Sequence, residues 1–477
     1  MKTYQQFING KLTDSHSSEW IEVENPYTGE TIARAPKGDD ADAYAALEAA
    51  KKSQKAWAAR TASDRAGYLT KMAAAIRAKR VELATLLAQE QAKIIGLAQV
   101  EIDFTADYFD YYAGWARKYE GEIINSDRYN ENIFLFHKPI GVVVGICPWN
   151  FPFFVMARKV APALLTGCTI VLKPSSNTPC TTFEFAKLVA SLDLPAGVVN
   201  FVSGSGKTLG NTLVTSPLTD MVTLTGSVEA GQEIIAASAQ NVTKVSLELG
   251  GKAPAIVFAD ADIDLAVKGV LDSRVIYSGQ VCNCAERAYV QKSIYEKFLD
   301  KLTDAFKKVK YGDPFAPDTV YSSQIDKAQQ TKIDEMVKRA VAAGAQVVTG
   351  GACTTDNGKG YFYEPTILTG ARQDSEIVQK EVFGPVIPVL PFEDYDEAIA
   401  LANDCEYGLT SSVFTTNINT VMQSLKDLNF GETYVNREHF EGMQGFHAGW
   451  RKSGIGGADG KHGLMEYLQS QVAYIQF

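Results

Sequence analysis

Cys282 follows the short run Ser278-Gly279-Gln280-Val281 and precedes a new strand-like stretch, a setting in which a thiol can protrude from a loop. A protruding thiolate is a strong nucleophile near neutral pH, although free cysteine is as often a small buried hydrophobe. Cys282-x-Cys284 resembles half a metal site, but no second Cys/His pair stands at ligand spacing, so no metal is expected. Glu248 ends the apolar run of Leu247-Glu248-Leu249-Gly250-Gly251. A carboxylate partly desolvated there would have a raised pKa suited to general-base work, or would simply cap the next turn. Asn150 sits between Cys147-Pro148-Trp149 and Phe151-Pro152-Phe153. Its amide could point an N–H at a developing oxyanion or serve as a plain helix cap.

Two further stretches suit a bound phosphate or sugar. Lys173 leaves a strand in Val171-Leu172-Lys173-Pro174-Ser175-Ser176, and Leu224-Thr225-Gly226-Ser227-Val228-Glu229-Ala230-Gly231 reads as strand, glycine turn and helix start. Helix N-termini offer free N–H groups to anions, and open α/β sheets bind ligands at the carboxyl ends of their strands. The spacing is G-x4-G rather than G-x-G-x-x-G, which alone says little.

The elements that would carry these residues are legible as patterns. Residues 40–60 and 63–97 have apolar side chains at three-to-four spacing, so the chain is expected to open with surface helices. From 141 to 248 short β-branched runs alternate with helical ones, which predicts parallel strands joined by right-handed crossovers. A second alternating block, from 254 to about 430, predicts another α/β unit. Residues 120–139 and the tail 466–477 fit neither block and alternate like exposed strands; they suggest an oligomerisation arm, or else a surface hairpin and a frayed end.

Composition bounds the rest. With 477 residues, 46% hydrophobic and 21% charged, the chain is an ordinary globular one of two or three domains. A net charge of −10 without a long basic run argues against nucleic acid and anionic membrane as partners. No window approaches the ~20 apolar residues of a membrane span, and the polar N-terminus carries no leader pattern, so a cytoplasmic protein is expected. Seven cysteines, odd in number and unevenly spaced, are read as reduced thiols.

Taken together, the motifs PWNFP, KPS, TGSVEAG, LELGGKAP, GQVC and EVFGPV resemble the NAD(P)-dependent aldehyde dehydrogenase superfamily in order and separation, from about residue 5 to the C-terminus. The resemblance implies an α/β fold with a Rossmann-like dinucleotide-binding domain (1–119 and 140–250), a catalytic domain (251–445) and a β oligomerisation arm (120–139 and 463–477). It implies that Cys282 is the nucleophile, Glu248 the base for the deacylating water and Asn150 the oxyanion-hole amide. It puts Trp149, Lys173, Ser176, Gly226, Ser227, Gly231, Glu381 and Phe383 around NAD or NADP, with no metal required. The expected partner is a small aldehyde, and the expected assembly a homodimer or homotetramer.

The stretches around 102–124, 273–287 and 443–464 are most similar to the branch of lactaldehyde and glycolaldehyde dehydrogenases. In that branch the positions of Arg158, Asn283, Glu441 and His447 surround the hydroxyl-bearing end of the substrate, although Arg158 and His447 could equally be satisfied core residues. Two features depart from the family pattern. Ser176 replaces the acid that NAD-preferring members place three residues after the lysine, and Val320-Tyr321-Ser322-Ser323-Gln324-Ile325 replaces a Gly-Pro turn. These departures leave room for NADP, and for a larger sugar-derived aldehyde such as 3,6-anhydrogalactose or a semialdehyde. A cysteine esterase is the reading from another class, and it leaves Lys173, the Gly226 turn and Glu381 without a purpose.

Overall fold

The computed structural model describes all 477 residues. Two large sheets face each other by their strand ends, and that arrangement makes the site. The first sheet runs Gly454–Ile455, Lys244–Glu248, Met221–Thr225, Val142–Ile146, Thr169–Lys173, Val199–Phe201, Gln6–Ile8 and Lys11–Thr13. Its five central strands are parallel. The chain lays down Val142–Ile146, moves outward to one side, and then returns to place Met221–Thr225 on the other side. The loops after these two strands therefore diverge and leave a crevice at the carboxyl ends, where such sheets bind ligands.

The second sheet runs Gln346–Thr349, Thr366–Thr369, Val386–Phe392, Ala285–Gln291, Ala253–Val257, Thr410–Phe414 and Glu432–Val435, with only the first strand antiparallel. It turns the amino ends of its strands to the crevice. Cys282 precedes Ala285–Gln291, Glu381 precedes Val386–Phe392, and Glu432 is the first residue of its strand. Packed between the first sheet and the helices Ala62–Ala78 and Ile95–Ala113, the helix Pro152–Thr166 is buried along its whole length, which explains why its sequence is mostly apolar.

The alternating blocks appear as expected, whereas the N-terminal expectation is corrected. Five short strands between Lys2 and Pro36 precede the first helix. Runs this short carry too few residues to establish a two-residue period. The helical stretch read at 63–97 is three helices, Ala62–Ala78, Arg80–Gln91 and Ile95–Ala113. One break is at Ala92, a non-glycine residue at φ 50°, so no glycine or proline announces it. Within the first alternating block, one helical run begins with a π-helical turn, Gly206–Gly210, before Asn211–Thr215. Leu468–Gln476 pairs antiparallel along all of Glu131–Pro139, which also pairs with Glu122–Asn125, forming a separate three-stranded sheet.

The 320–325 segment, which has no account at the sequence level, acquires one. The Ser278 hydroxyl donates to the Ser322 carbonyl, Gln324 Nε2 donates to the Ser278 carbonyl, and the Ile325 N–H donates to Gln280 Oε1. The segment props the loop that carries Cys282. That loop is strained, with Tyr277, Ser278 and Gly279 all in the left-handed region at φ 43°, 58° and 75°. A Cβ at Gly279 would meet the Gly384 carbonyl oxygen at 2.3 Å. Gly279→Ala is expected to destabilise the protein by about 1–3 kcal/mol in chemical denaturation; unchanged stability would show that the loop is not held as described.

Candidate active site

Cys282 is half-buried and lines two cavities at once. The smaller, of about 70 Å³, is walled by Leu97, Val100, Phe104, Phe154 and Phe440, with Arg158, Asn283 and Glu441 among its polar members. The larger, of about 490 Å³, lies in the crevice of the first sheet and is lined by Trp149, Lys173, Ser176, Gly226, Ser227, Glu381 and Phe383. Asn150 and Thr225 join Cys282 on both. A thiol at the junction of two cavities can react with a molecule in one while a second molecule lies in the other. Cys284, by contrast, is fully buried, and burial pushes its thiol up to about 12, which makes it inert.

Asn150 is held by its neighbours. Its Oδ1 accepts from the Phe151 N–H at 3.0 Å, and its Nδ2 donates to the Gln280 carbonyl at 3.0 Å, two residues before Cys282. Phe151, not Asn150, occupies the cap position of the following helix, so the plain cap reading does not apply. Behind it, Lys93 Nζ donates to the Asn150 carbonyl at 2.7 Å and pairs with buried Glu101, whose Oε1 accepts the N–H groups of Phe153 and Phe154. Nδ2 has two hydrogens and spends one on Gln280, leaving the other for an oxygen near Cys282.

Glu248 ends the strand Lys244–Glu248 and is buried, with neither carboxylate oxygen hydrogen-bonded. Burial pushes it up to about 8, against the downward pull of His447, Arg158 and Lys159. Its nearest partner is His447 Nε2 at 3.4 Å.

The larger cavity carries the marks of a dinucleotide site. Lys173 is buried, with only the carbonyl of Pro174 within reach at 3.3 Å, and burial lowers its ammonium to about 8. No carboxylate neutralises it, so it suits sugar hydroxyls or phosphate. Ser227 caps the helix Val228–Ser238, accepting from the Ala230 N–H, and the first turn of that helix borders the cavity. Glu381 Oε1 accepts from the Gly251 N–H at 2.8 Å, and burial pushes the carboxyl up to about 7. Phe383, at φ 57°, meets Trp149 edge-on at 5.4 Å.

Two expected site residues are placed differently. Gly231 is not on the cavity wall; its missing side chain lets the helix approach Leu249, whose Cδ1 would lie 2.5 Å from a Cβ there. His447 does not line the smaller cavity. It lies 3.4 Å from Glu248 and in contact with the Cys282 thiol, with Nδ1 2.5 Å from Glu432 Oε1, and shares a neighbouring groove with Glu441. The other three polar residues do meet. Arg158 pairs with Asp459 through Nε at 3.0 Å and Nη2 at 2.7 Å, and Nη2 also reaches Glu441 at 3.0 Å. Asn283 Nδ2 donates to the other oxygen of Glu441.

Several residues that matter here escape a reading of the sequence. Asp459, at φ 70°, accepts from Tyr108 Oη as well as Arg158. Lys159 donates to Thr223 and Thr225 beneath the crevice. The only advance signal was that Asp459 and Glu432 are acids in an irregular, glycine-rich stretch. No group of three or more His, Cys, Asp or Glu side chains is placed to hold a metal ion, and no helix is long and apolar enough to cross a membrane.

A model of the aldehyde dehydrogenase family matches residues 12–473. Lactaldehyde dehydrogenase of Escherichia coli (strain K12) is 54% identical over 474 residues, covering 99% of this chain and 98% of that one. The 3,6-anhydro-alpha-L-galactose dehydrogenase of Vibrio sp. (strain EJY3) is 43% identical over 479 residues, with 100% of each chain covered. Among solved structures, the crystal structure of lactaldehyde dehydrogenase from Escherichia coli has a TM-score of 0.98 at 54% identity over 100% of both chains. That of 3,6-anhydro-L-galactose dehydrogenase in complex with NAP has a TM-score of 0.97 at 42% identity, over 99% of this chain and 100% of that one.

The burial of Glu248 has a direct spectroscopic consequence. A carboxyl with a pKa of about 8 is protonated at pH 7 and ionises as the pH rises through that value. Infrared difference spectra should therefore show more protonated-carboxyl intensity at pH 7 in the wild type than in Glu248→Gln, over the contribution of Glu381 common to both, with the excess fading above pH 8. Equal intensity in the two proteins refutes the raised pKa of Glu248.

Proposed function

The chain belongs to the aldehyde dehydrogenase family, and from that premise we propose that it oxidises a small hydroxyaldehyde, lactaldehyde or glycolaldehyde, to its acid with NAD or NADP. The observation that carries the reading is Cys282 at the junction of an apolar-walled cavity with a polar end and a dinucleotide-sized one. The Cys282 thiolate adds to the aldehyde carbon in the smaller cavity, and the oxygen that becomes an anion is met by Asn150 Nδ2–H. Loss of one such donor typically costs roughly 2.7–4 kcal/mol of barrier. A nicotinamide dinucleotide held by Lys173, Gly226, Ser227 and Glu381 would supply the hydride acceptor. Glu248 takes a proton from water as that water's oxygen bonds to the acyl carbon on Cys282. The carbon–sulfur bond then breaks, returning the thiolate and releasing the acid. Because Glu248 works only when ionised, hydrolysis speeds up as the pH rises through about 8.

The smaller cavity favours this substrate class over the alternatives. Its walls are largely apolar, Leu97, Val100, Phe104, Phe154 and Phe440 among them, and offer few partners to the several oxygens of an anhydro sugar. A semialdehyde would need a cation for its distal carboxylate, and Arg158 is already flanked by Asp459 and Glu441. The Arg158, Asn283 and Glu441 cluster suits a hydroxyl, and a site built to bond a hydroxyl can reject analogues lacking it by roughly 10⁴–10⁵. Ser176 lines the dinucleotide cavity where an acid would repel a 2′-phosphate, which supports acceptance of NADP. A working thiol suits the reducing cytoplasm.

We assign residues 1–119 and 140–250 to dinucleotide binding, 251–445 to catalysis, and 120–139 with 463–477 to an arm through which the chain forms a homodimer or homotetramer. Ile123, Phe136, Tyr474, Ile475 and Phe477 are exposed on that arm, and each of its two outer strands leaves one edge unpaired, which supports the assignment.

Initial rates with L-lactaldehyde, glycolaldehyde, propionaldehyde, succinate semialdehyde and 3,6-anhydrogalactose, each with NAD and NADP, test the reading. The hydroxyaldehydes should lead by orders of magnitude, and Glu441→Gln should raise KM for L-lactaldehyde far more than for propionaldehyde. Equal effects would remove the hydroxyl pocket. Ser176→Glu should lower kcat/KM with NADP at least tenfold while sparing NAD; a wild-type preference of a hundredfold for NAD would overturn the cofactor assignment. Tyr474→Asp combined with Ile475→Asp should reduce the mass seen by light scattering, and an unchanged mass would exclude the arm as the interface.

A further inference from the structure

Glu432 opens the strand Glu432–Val435. Its Oε1 lies 2.5 Å from His447 Nδ1, its Oε2 accepts from Tyr434 Oη, and its side chain is 13% exposed. It opens onto a groove of about 260 Å³ shared with Thr433, Tyr434, Phe446 and His447, whose wall at Glu441 is common to the smaller cavity. His447 itself is 2% exposed and clamped by backbone hydrogen bonds in both directions with Ala458. Fixed at Nδ1 by a carboxylate, the ring has one way to point Nε2, and it points into the space shared by Glu248, at 3.4 Å, and the Cys282 thiol.

We propose that Glu432 is a positioning residue for the hydrolytic half-reaction: it holds His447 so that the Nε2–H of a charged imidazolium faces Glu248. The proposal rests on Glu248 being the base, as assigned above. Every charged group around the pair is accounted for. His447 faces Glu432 and Glu248 from two strands and the Cys282 thiol from its loop, while Asp459 and Glu441 lie close by. Glu248 faces His447, Arg158, Lys159 and Asp459. Arg158 is occupied by two carboxylates and Lys159 by two hydroxyls, so His447 is the nearest cation to the base and the one without a neutralising bond of its own on that side. The carboxylate–imidazole pair is the arrangement that fixes tautomer and orientation in other nucleophilic sites, turned here toward a carboxylate base. In the neutral, unanchored state the ring would leave Glu248 harder to ionise.

The test compares steady-state turnover with the first-turnover burst of reduced nicotinamide across pH 5.5 to 10. Glu432→Gln should lower kcat at pH 7 about tenfold, move the acid limb of the kcat profile up by about one pH unit, and retain a burst, because thioester formation continues while hydrolysis slows. His447→Gln should move the limb the same way, and the double variant should move it no further than the larger single one. Glu432→Asp, which keeps the charge on a shorter stem, should move the limb in the same direction by less, and it serves if the glutamine variant does not fold. An unmoved limb, additive effects in the double variant, or equal loss of burst and turnover would overturn the proposal. Glu248→Gln separates the two readings: if it leaves kcat intact, the assignment of the base fails, whatever Glu432 does.

Discussion

One buried carboxylate ties together the parts that would otherwise move independently. Glu286 lies in the second sheet between Lys252 Nζ at 2.7 Å and Arg274 Nη1 at 2.7 Å, and it also accepts the N–H groups of Val382 and Phe383. Arg274 in turn donates to the carbonyls of Gly279 and Ala285 and to the Cys284 sulfur. A single anion thus fixes the loop before the nucleophile and the loop that carries Glu381 and Phe383. Breaking a buried pair by removing one partner typically costs about 3–5 kcal/mol, because the remaining charge is left uncompensated. The left-handed backbone at Tyr277 to Gly279 and at Phe383 persists because this network and the 320–325 segment over-determine it.

The opposed sheets explain why the site draws on such distant parts of the chain. The first sheet delivers Asn150, Lys173, Thr225 and Glu248 from carboxyl ends, where a doubly wound sheet leaves a crevice. The second delivers Cys282, Glu381 and Glu432 from amino ends, where nothing in that rule would place a ligand. Function arises at the seam, with the dinucleotide-sized cavity on one side of Cys282 and the small cavity on the other. A rigid helix, Pro152–Thr166, runs beneath the seam and supplies Arg158 and Lys159 on successive positions, one toward each side.

What was legible in the sequence was local. Cys282, Glu248, Asn150 and Lys173 each stand at a strand end beside glycine or proline, so type and spacing point to them before any fold is known. The alternating blocks were legible because parallel strands buried on both faces read as continuous apolar runs. The early strands were not, because two or three residues carry no period, and the break at Ala92 was not, because alanine ordinarily favours helix. His447 was placed in the right neighbourhood, against Cys282 and beside Glu441, whereas its bond to Glu432 was not foreseen, since a resemblance gives proximity but not the partners of a ring. Glu432 and Asp459 work through partners far away in sequence, His447 and Glu248 for one and Arg158 and Tyr108 for the other. Such contacts exist only once the chain is folded.

Glu248 and Glu286 show how the fold sets chemistry with one residue type. Both are glutamates, both are fully buried, and desolvation pushes both upward. Glu286 is nevertheless pulled down to about 2, while Glu248 rises to about 8. The difference lies in what each oxygen meets. Glu286 has two cations at 2.7 Å and two backbone N–H groups, all of which favour the anion; Glu248 has no hydrogen-bond donor, and its nearest cation stands at 3.4 Å. Burial with full satisfaction makes a permanent charge, useful only as a strut, whereas burial without it makes a group poised to take a proton near neutral pH. The unpaired state of Glu248 is therefore what leaves it able to take a proton near neutral pH, while Glu286, in the next sheet, stays charged.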